Sequence, residues 1–413
     1  MKTIHGWLLS KKRIKNGFSG VVFVDSKKEK FCLETRQSLP EKIQEFDKIK
    51  PWTIISLLGR KNKQSFFAKS FKILNNSTKK LPFDPFSSKK ISFKKRLDYR
   101  FIDLRNPKNQ DIFQVRMKTV SLFRDYFKKA EYMELDSPKI VSIGLESNIT
   151  PFTINYFGKK ACLSKGPQTY KTMLLAAGWN RVFEIGPIFR IEKKYSNRHV
   201  AEFTAIDFDF SFVNSEFDVM KEEEKILKFV INNLQKEASK ELINNEIKLK
   251  KVHKIPQLES NKAKKILAKN GKFLSPYDSF DSEAEAILGK YALKTFGSEL
   301  LFLYNYPWKD RFFYYQKKEN DSIGSKSFDV LFRGVEIGTS AQKEHRKKIL
   351  LSQAIEKGLN ISKLKTYLHV FNYSMPTYGG GGIGLDRLLQ KIFSADNIRE
   401  VIQFPRDSKR LNP

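Results

Sequence analysis

The chain has 413 residues, 40% hydrophobic and 13% aromatic with 35 Phe, a composition that excludes a wholly disordered polymer. Lys+Arg number 77 and Asp+Glu 45, a net charge of +32. Such an excess suits a polyanionic partner, and a coding bias towards Lys, Asn, Ile and Phe would produce it equally well. No apolar run nears the ~20 residues that span a bilayer, and residues 1–7 carry no signal-peptide core. Secretion and membrane insertion are therefore not expected, and a cytoplasmic location is.

Residues 1–80 read as short strands and turns: 7–9, 20–24, 30–33 and 52–58 are β-rich, with Gly, Asp and Lys between them. About five such strands fit a small oligonucleotide/oligosaccharide-binding (OB) barrel or a generic small β-domain. The polar run 75–80 leads into a Pro-containing stretch, and 81–95 is read as a hinge. From 96 to 413 long helices alternate with strands. Residues 112–129 place Val115, Val120, Phe123 and Phe127 on one face of an amphipathic helix. The stretch 216–250 is charged and helical, and 237–275, Lys-rich and weakly patterned, reads as an insertion. Strands return at 300–304 and 328–332, before a glycine run, a helix and Pro405. Cys32 and Cys162 lie far apart with no C-x-x-C or H-E-x-x-H, which argues against a disulfide framework or structural zinc.

Three constellations carry chemistry. Residues 186–192 read Gly-Pro-Ile-Phe-Arg-Ile-Glu; alternation along a strand puts Arg190 and Glu192 on one face, Phe189 and Ile191 on the other. After a polar loop and Arg198-His199, a second strand over 202–212 sets Ile206, Phe208, Phe210 and Phe212 against Asp207 and Asp209. Antiparallel pairing would gather Arg190, Glu192, Asp207 and Asp209 on one surface. Unpaired buried charge is unfavourable, so the cluster is a salt-bridge lattice or a site for a charged ligand, and the second is favoured. Residues 378–387 read Tyr-Gly-Gly-Gly-Gly-Ile-Gly-Leu-Asp-Arg. Too little chain follows for a doubly wound sheet, so a Rossmann reading is rejected. Leu385, Leu388, Leu389, Ile392 and Phe393 mark a helix starting near Gly384. Arg387 then falls in its first turn, opposed by the helix dipole by ~0.3–1 kcal/mol, and a bound anion there would remove the conflict. A flexible loop with a solvated Arg is the alternative. Finally, Glu336 and Thr339 are oxygen donors near enough to share Mg²⁺, which takes few protein ligands alongside substrate phosphates; a surface turn is the bland reading.

Together these residues resemble the signature motifs of class II aminoacyl-tRNA synthetases. Phe189-Arg190-x-Glu192 with Arg198-His199-x-x-Glu202-Phe203 is similar to motif 2, Gly382-x-Gly384-Leu385-Asp386-Arg387 to motif 3, and Pro138 to the motif 1 proline at the dimer interface. Within that class the chain resembles aspartyl-tRNA synthetases of the archaeal and eukaryotic type, through 100–105, through 166–171 (Gly-Pro-Gln-Thr-Tyr-Lys, similar to S-P-Q-L-Y-K) and through 404–411. The lysine of that second motif favours aspartyl over asparaginyl enzymes, which lack it. The resemblance implies an α+β fold: an N-terminal OB-fold β-barrel over 1–80 that binds the anticodon, the hinge, and over 96–413 a class II antiparallel catalytic sheet flanked by helices, in a homodimer. It implies ATP-dependent activation of aspartate to aspartyl-adenylate and transfer to tRNA(Asp), and admits tRNA(Asn) as a second acceptor. Arg190 would hold the α-phosphate and Arg387 the γ-phosphate as the catalytic cations. Glu192, Arg198, His199, Val200, Glu336, Gly384, Leu385 and Asp386 would frame ATP, and Glu336 with Thr339 would carry Mg²⁺. Glu146 and Asp207 would receive the ammonium of aspartate, with Gln168 and Thr339 in the same pocket and Lys171 and Lys343 at the side-chain carboxylate.

Three positions depart from the family. Lys343 stands where the family has Arg, which replaces a bidentate fork by a point charge. Ser147-Asn148 follows Glu146 where the family has two glycines in a mobile loop. The anticodon-stacking aromatic falls at Gly20 and the Gln after it near Phe31 or Cys32, with Phe18 or Phe23 as substitute platforms. The alternatives are an asparaginyl-type or other amino-acid-activating paralogue, and an RNA-binding protein without catalysis. Retention of Arg190, Glu192, Glu336 and Arg387 argues against the last.

Overall fold

The computed structural model describes residues 1–412 except 25–26, 35–39, 63–64, 88–89, 143–150, 192–195 and 320. It divides into two compact units, Met1–Gln110 and Asp111–Pro413. In the first, β1 (Lys2–Ile14), β2 (Gly17–Val24), β3 (Lys27–Glu34), β4 (Ile54–Lys61) and β5 (Phe66–Asn75) close into a barrel in the order β1-β2-β3-β5-β4. Closure leaves no free sheet edge and turns one apolar face inwards. Ile55 and Leu57, two apart on β4, point into the interior beside Leu8, Phe18, Phe31 and Phe66. The helix Pro40–Lys48 adds Phe46 to this interior, its ring 4.9 Å from Phe18 and 4.8 Å from Phe71. Phe18 and Phe23 are both buried, so neither offers a stacking surface, contrary to expectation. The stretch read as a hinge packs on the barrel: Phe86 stacks on Trp52 at 5.7 Å, and Arg105 lies 4.8 Å over the same ring.

In the second unit the strands in chain order are β6 (Met133–Glu134), β7 (Ile140–Val141), β8 (Thr153–Tyr156), β9 (Lys159–Leu163), β10 (Arg181–Phe189), β11 (Glu202–Ser211), β12 (Gln257–Glu259), β13 (Leu300–Tyr304), β14 (Ser327–Phe332), β15 (Val335–Lys343) and β16 (Tyr378–Gly384). Eight form one sheet, β12-β13-β14-β15-β16-β11-β10-β6; β7, β9 and β8 form a small one. The large sheet is antiparallel except at its two ends, where β12 pairs with β13 and β6 with β10 in parallel. One face is apolar: Phe183, Ile206, Phe208, Phe302, Val330 and Ile383 pack under Phe123 and Phe127 of the helix Pro107–Lys129 and under Ile226 and Val230 of the helix Glu216–Glu237. The Lys-rich stretch supplies β12 at the sheet edge and the helix Ser260–Lys269, with Leu258, Ala263 and Leu267 buried; a three-residue strand is too short to show a period.

Two local features go beyond the sequence pattern. The glycine run, for which a flexible loop was the alternative, is the central strand β16, hydrogen-bonded on both sides. A side chain is impossible at Gly381, where a Cβ would lie 1.7 Å from Ser340 Oγ, so the strand can pack this closely only as bare backbone. Phe212, expected on the apolar face, lies past the end of β11 with φ +62° and is 69% exposed.

Candidate active site

The polar face of the sheet is built by register. Glu184 of β10 pairs with Asp207 of β11, Asp207 with Gly382 of β16, Gly382 with Thr339 of β15, and Thr339 with Asp329 of β14. Alternation therefore sends this row away from the apolar face. A cavity of about 370 Å³ lies over it. Glu336 and Thr339, three apart, could not share a face of a regular strand. The ladder to β14 shifts here, pairing Val330 with Gly338 but Leu331 with Glu336 and leaving Ile337 out. That bulge brings both residues to the cavity wall.

At one end of the cavity Gln168 and Lys171, a turn apart on the helix Gln168–Ala176, meet Lys343 from the end of β15. All three are buried. Lys343 Nζ donates to Gln168 Oε1 at 2.7 Å and to Asp209 Oδ1 at 2.6 Å. Lys171 Nζ donates to Asp207 and Asp209 at 3.2 Å each. Two ammonium groups thus share the Asp209 carboxylate. Burial pulls Lys343 down to about 8, with Lys171 adding repulsion and Asp209 opposing both. Burial also acts on Lys171, but Asp209 and Asp207 outweigh it and its pKa ends above the ordinary value.

Beyond Phe189, Arg190 continues β10, its N–H donating to Ala201 O at 2.9 Å. Its guanidinium lies 5.3 Å over the Phe203 ring, and its Nε is buried with no hydrogen-bond partner among the described residues. At the far end, Arg387 projects from the first turn of the helix Leu385–Ile392. It donates to Glu336 O at 3.1 Å and Oε1 at 3.3 Å, and its Nη2 is 3.2 Å from His199 Nε2. Its conflict with the helix dipole is thus met by Glu336. Arg198 donates to Glu285 Oε2 at 2.7 Å, which also accepts the Glu336 N–H at 3.0 Å. Burial raises the Glu336 pKa, Asp329 and Glu285 reinforce the rise, and Arg387 opposes it.

Arg190, Arg198, His199, Val200, Glu336, Thr339, Gly384, Asp386 and Arg387 line the cavity together with Gln168, Lys171, Asp207 and Lys343. Leu385 sits in the apolar core instead. Asp386 is an anchor as much as a wall: it accepts Thr204 N–H at 2.8 Å and pairs with Arg116. Glu146 and Glu192 lie outside the described residues. Sequence reading missed Arg311, which lines the cavity, donates to Asp329 Oδ2 at 2.9 Å and stacks 3.8 Å over Tyr306. The one signal for it was an arginine in a run of aromatics. It also missed the buried cavity residue Lys165 and the function of Asp209 as a shared counter-ion.

The model of the family "tRNA synthetases class II (D, K and N)" matches residues 92–408. The chain is 38% identical over 397 residues to an aspartate–tRNA(Asp) ligase of Pyrococcus abyssi, covering 95% of this chain and 90% of that one. It is 37% identical to an aspartate–tRNA(Asp/Asn) ligase of Aeropyrum pernix, over 83% of this chain and 78% of the other. Among solved structures, the asparaginyl-tRNA synthetase of Pyrococcus horikoshii with asparaginyl-adenylate superimposes with a TM-score of 0.91 at 22% identity, covering 100% of this chain and 96% of that one, a likeness of fold.

Proposed function

The chain belongs to the class II tRNA synthetases of the D, K and N type, and from that premise we propose that it is an aspartate–tRNA ligase that uses ATP. The observation that carries the substrate is the pair of buried lysines, Lys171 and Lys343, at one end of the cavity beside Asp207. Two cations that share one buried counter-ion, Asp209, leave one positive charge for a side-chain carboxylate, and the adjacent Asp207 suits an ammonium, which together describe aspartate better than a neutral amide. With the substrate so held, its α-carboxylate is directed towards Arg190, a guanidinium whose buried Nε has no hydrogen-bond partner among the described residues. Attack of that carboxylate on the α-phosphorus of ATP breaks the bond to pyrophosphate and leaves aspartyl-adenylate. The terminal ribose hydroxyl of tRNA then displaces AMP. Neither step requires a protein nucleophile; the protein contributes position and charge, Arg190 at the α-phosphate and Arg387 at the γ-phosphate.

Magnesium fits the wall at Glu336. That carboxyl is pressed by Asp329 and Glu285, so a cation would relieve it, and Thr339 adds a hydroxyl oxygen on the same wall. Bound there by Glu336 and Thr339, Mg²⁺ would neutralise phosphate charge.

The barrel suits the tRNA. Lys11, Lys12 and Lys30 border a shallow concavity with Gly20 and Cys32 in its floor. A Cβ at Gly20 would lie 2.4 Å from Ser10 O and 2.7 Å from the Phe31 ring, so the position admits no side chain. Without an aromatic at Gly20, contact there rests on cations and shape, which supports tRNA(Asn) as an acceptor beside tRNA(Asp). A homodimer through the β6 edge, where Met133 and Glu134 are exposed, and a cytoplasmic location complete the reading. No described helix is long and apolar enough to cross a membrane.

ATP–pyrophosphate exchange with each amino acid, followed by charging of both tRNAs, tests the proposal. Aspartate-dependent exchange is expected. Exchange driven better by asparagine, or by neither, would overturn it.

A further inference from the structure

The segment carrying Arg198, His199 and Val200 has no regular secondary structure of its own. It is fixed from the far end of the chain. Arg399, 1% exposed, donates from Nη1 to Ser196 O at 2.9 Å and from Nη2 to His199 O at 3.1 Å. Its Nε is paired with the buried carboxylate of Asp407, and Nη1 also donates to Asn397 Oδ1 at 3.1 Å. Around this fork, Ile398 N–H donates to Asn197 O at 2.8 Å, Asn397 Nδ2 to Asn197 Oδ1 at 3.1 Å, and Ala201 N–H to Arg406 O at 2.7 Å. The held loop in turn orients His199: Ser196 Oγ lies 2.6 Å from Nδ1, and Nε2 lies 3.2 Å from Arg387 Nη2.

We propose that Arg399 is a positioning residue for the nucleotide end of the cavity, a buried fork through which the 397–407 segment holds Arg198 and His199 in place for ATP. This rests on the reading of the cavity as an ATP site. The argument is geometric. From three nitrogens the planar guanidinium reaches four acceptors, Asp407, Asn397, Ser196 O and His199 O; a lysine has three donors on one nitrogen and leaves at least one acceptor unmet. A half-buried carbonyl freed of its donor must find another, so the loop shifts when one bond is lost. His199 and Arg387 then lose register. Lys171, Lys343 and Asp207 are untouched, because none of them contacts the loop or the fork in any hydrogen bond described above.

The test compares the full-length protein with Arg399→Lys and, as a gentler variant that loosens the fork from behind, Asp407→Asn. ATP affinity is measured by direct titration with ATP alone, and KM values for ATP and aspartate by exchange; thermal melting reports the fold. Expected are an about ten-fold weaker ATP affinity and ATP KM in Arg399→Lys, a two- to five-fold effect in Asp407→Asn, and an aspartate KM within two-fold of the original in both. ATP binding unchanged in a folded variant overturns the proposal, as does a parallel rise in both KM values. Should the original protein bind ATP but show no aspartate-dependent exchange, the functional reading fails while the titration still decides the role of Arg399.

Discussion

Lys343 is the residue whose chemistry the fold constrains most. Its ammonium is held by Asp209 and Gln168 and its pKa stands at about 8. A lysine binds a carboxylate only while charged, so aspartate kcat/KM should be level below that value and fall as pH rises through it. Asparagine, with a neutral side chain, should show no such limb. Lys343→Arg, which does not titrate in this range, should abolish the limb. It should also lower the aspartate KM roughly ten-fold, since charge-assisted hydrogen bonds contribute about 1.5–3 kcal/mol each and a fork makes two. Lys343→Ala should cripple aspartate activation. Exchange kinetics for both amino acids from pH 6.5 to 9.5 decide it; a limb that persists in Lys343→Arg belongs to another group. Arg387 makes a simpler case. Its contacts with Glu336 and His199 are at the cavity wall rather than in the core. Arg387→Ala should therefore leave the melting temperature within a few degrees and remove at least 99% of exchange; activity surviving within a few-fold would remove Arg387 from the chemistry.

Elements were legible where their period was clean. The alternation of Ile206, Phe208 and Phe210 against Asp207 and Asp209 gave the faces of β11, and Arg190, one residue past β10, lies on the cavity side with Asp207 as that alternation requires. What escaped was set by neighbours. Nothing in a glycine run announces a strand, because glycine has no side chain to alternate; β16 exists because β15 and β11 flank it. The bulge at Ile337 is likewise a property of a pair of strands, and the shared bond to Asp209 joins a helix to two strands that are not neighbours. Element packing also hides Glu223. This fully buried carboxyl on the helix Glu216–Glu237 accepts Ser340 Oγ–H at 2.6 Å, while burial first, and Asp329 second, push it up to about 8. In the unfolded chain it ionises near the ordinary value of 4.5. Folding stability should thus fall as pH rises from about 4.5 to about 8. Glu223→Gln, which never ionises, should escape that fall. Its stability relative to the original, measured by denaturant unfolding, should climb across this window, by an amount on the order of 4 kcal/mol at pH 8. A pH-independent difference would mean that Glu223 titrates normally.

For the whole molecule, the proposed function predicts that charge and catalysis can be separated. The exposed Lys12 and Lys30 face the barrel concavity, far in sequence from every cavity residue. Replacing both by Glu in the full chain should leave exchange within two-fold and raise the KM for tRNA at least ten-fold. It should also flatten the plot of log affinity against log salt by about two units, one for each lost phosphate contact. Filter binding at four salt concentrations beside exchange kinetics measures both, and an equal loss in the two assays would refute the separation. The centre of the cavity obeys a different economy of change. Its floor along β16 is peptide backbone, and the two faces of that strand answer mutation differently. At Gly381, whose Cβ would point to the apolar face, any side chain collides with Ser340. At Gly382, on the cavity side, a Cβ would meet the Asp207 carboxylate at 3.2 Å, so a small side chain there should take its room from whatever the cavity binds. A library built to retarget the cavity should therefore leave Gly381 alone and randomise Gln168, Lys171, Lys343 and Gly382.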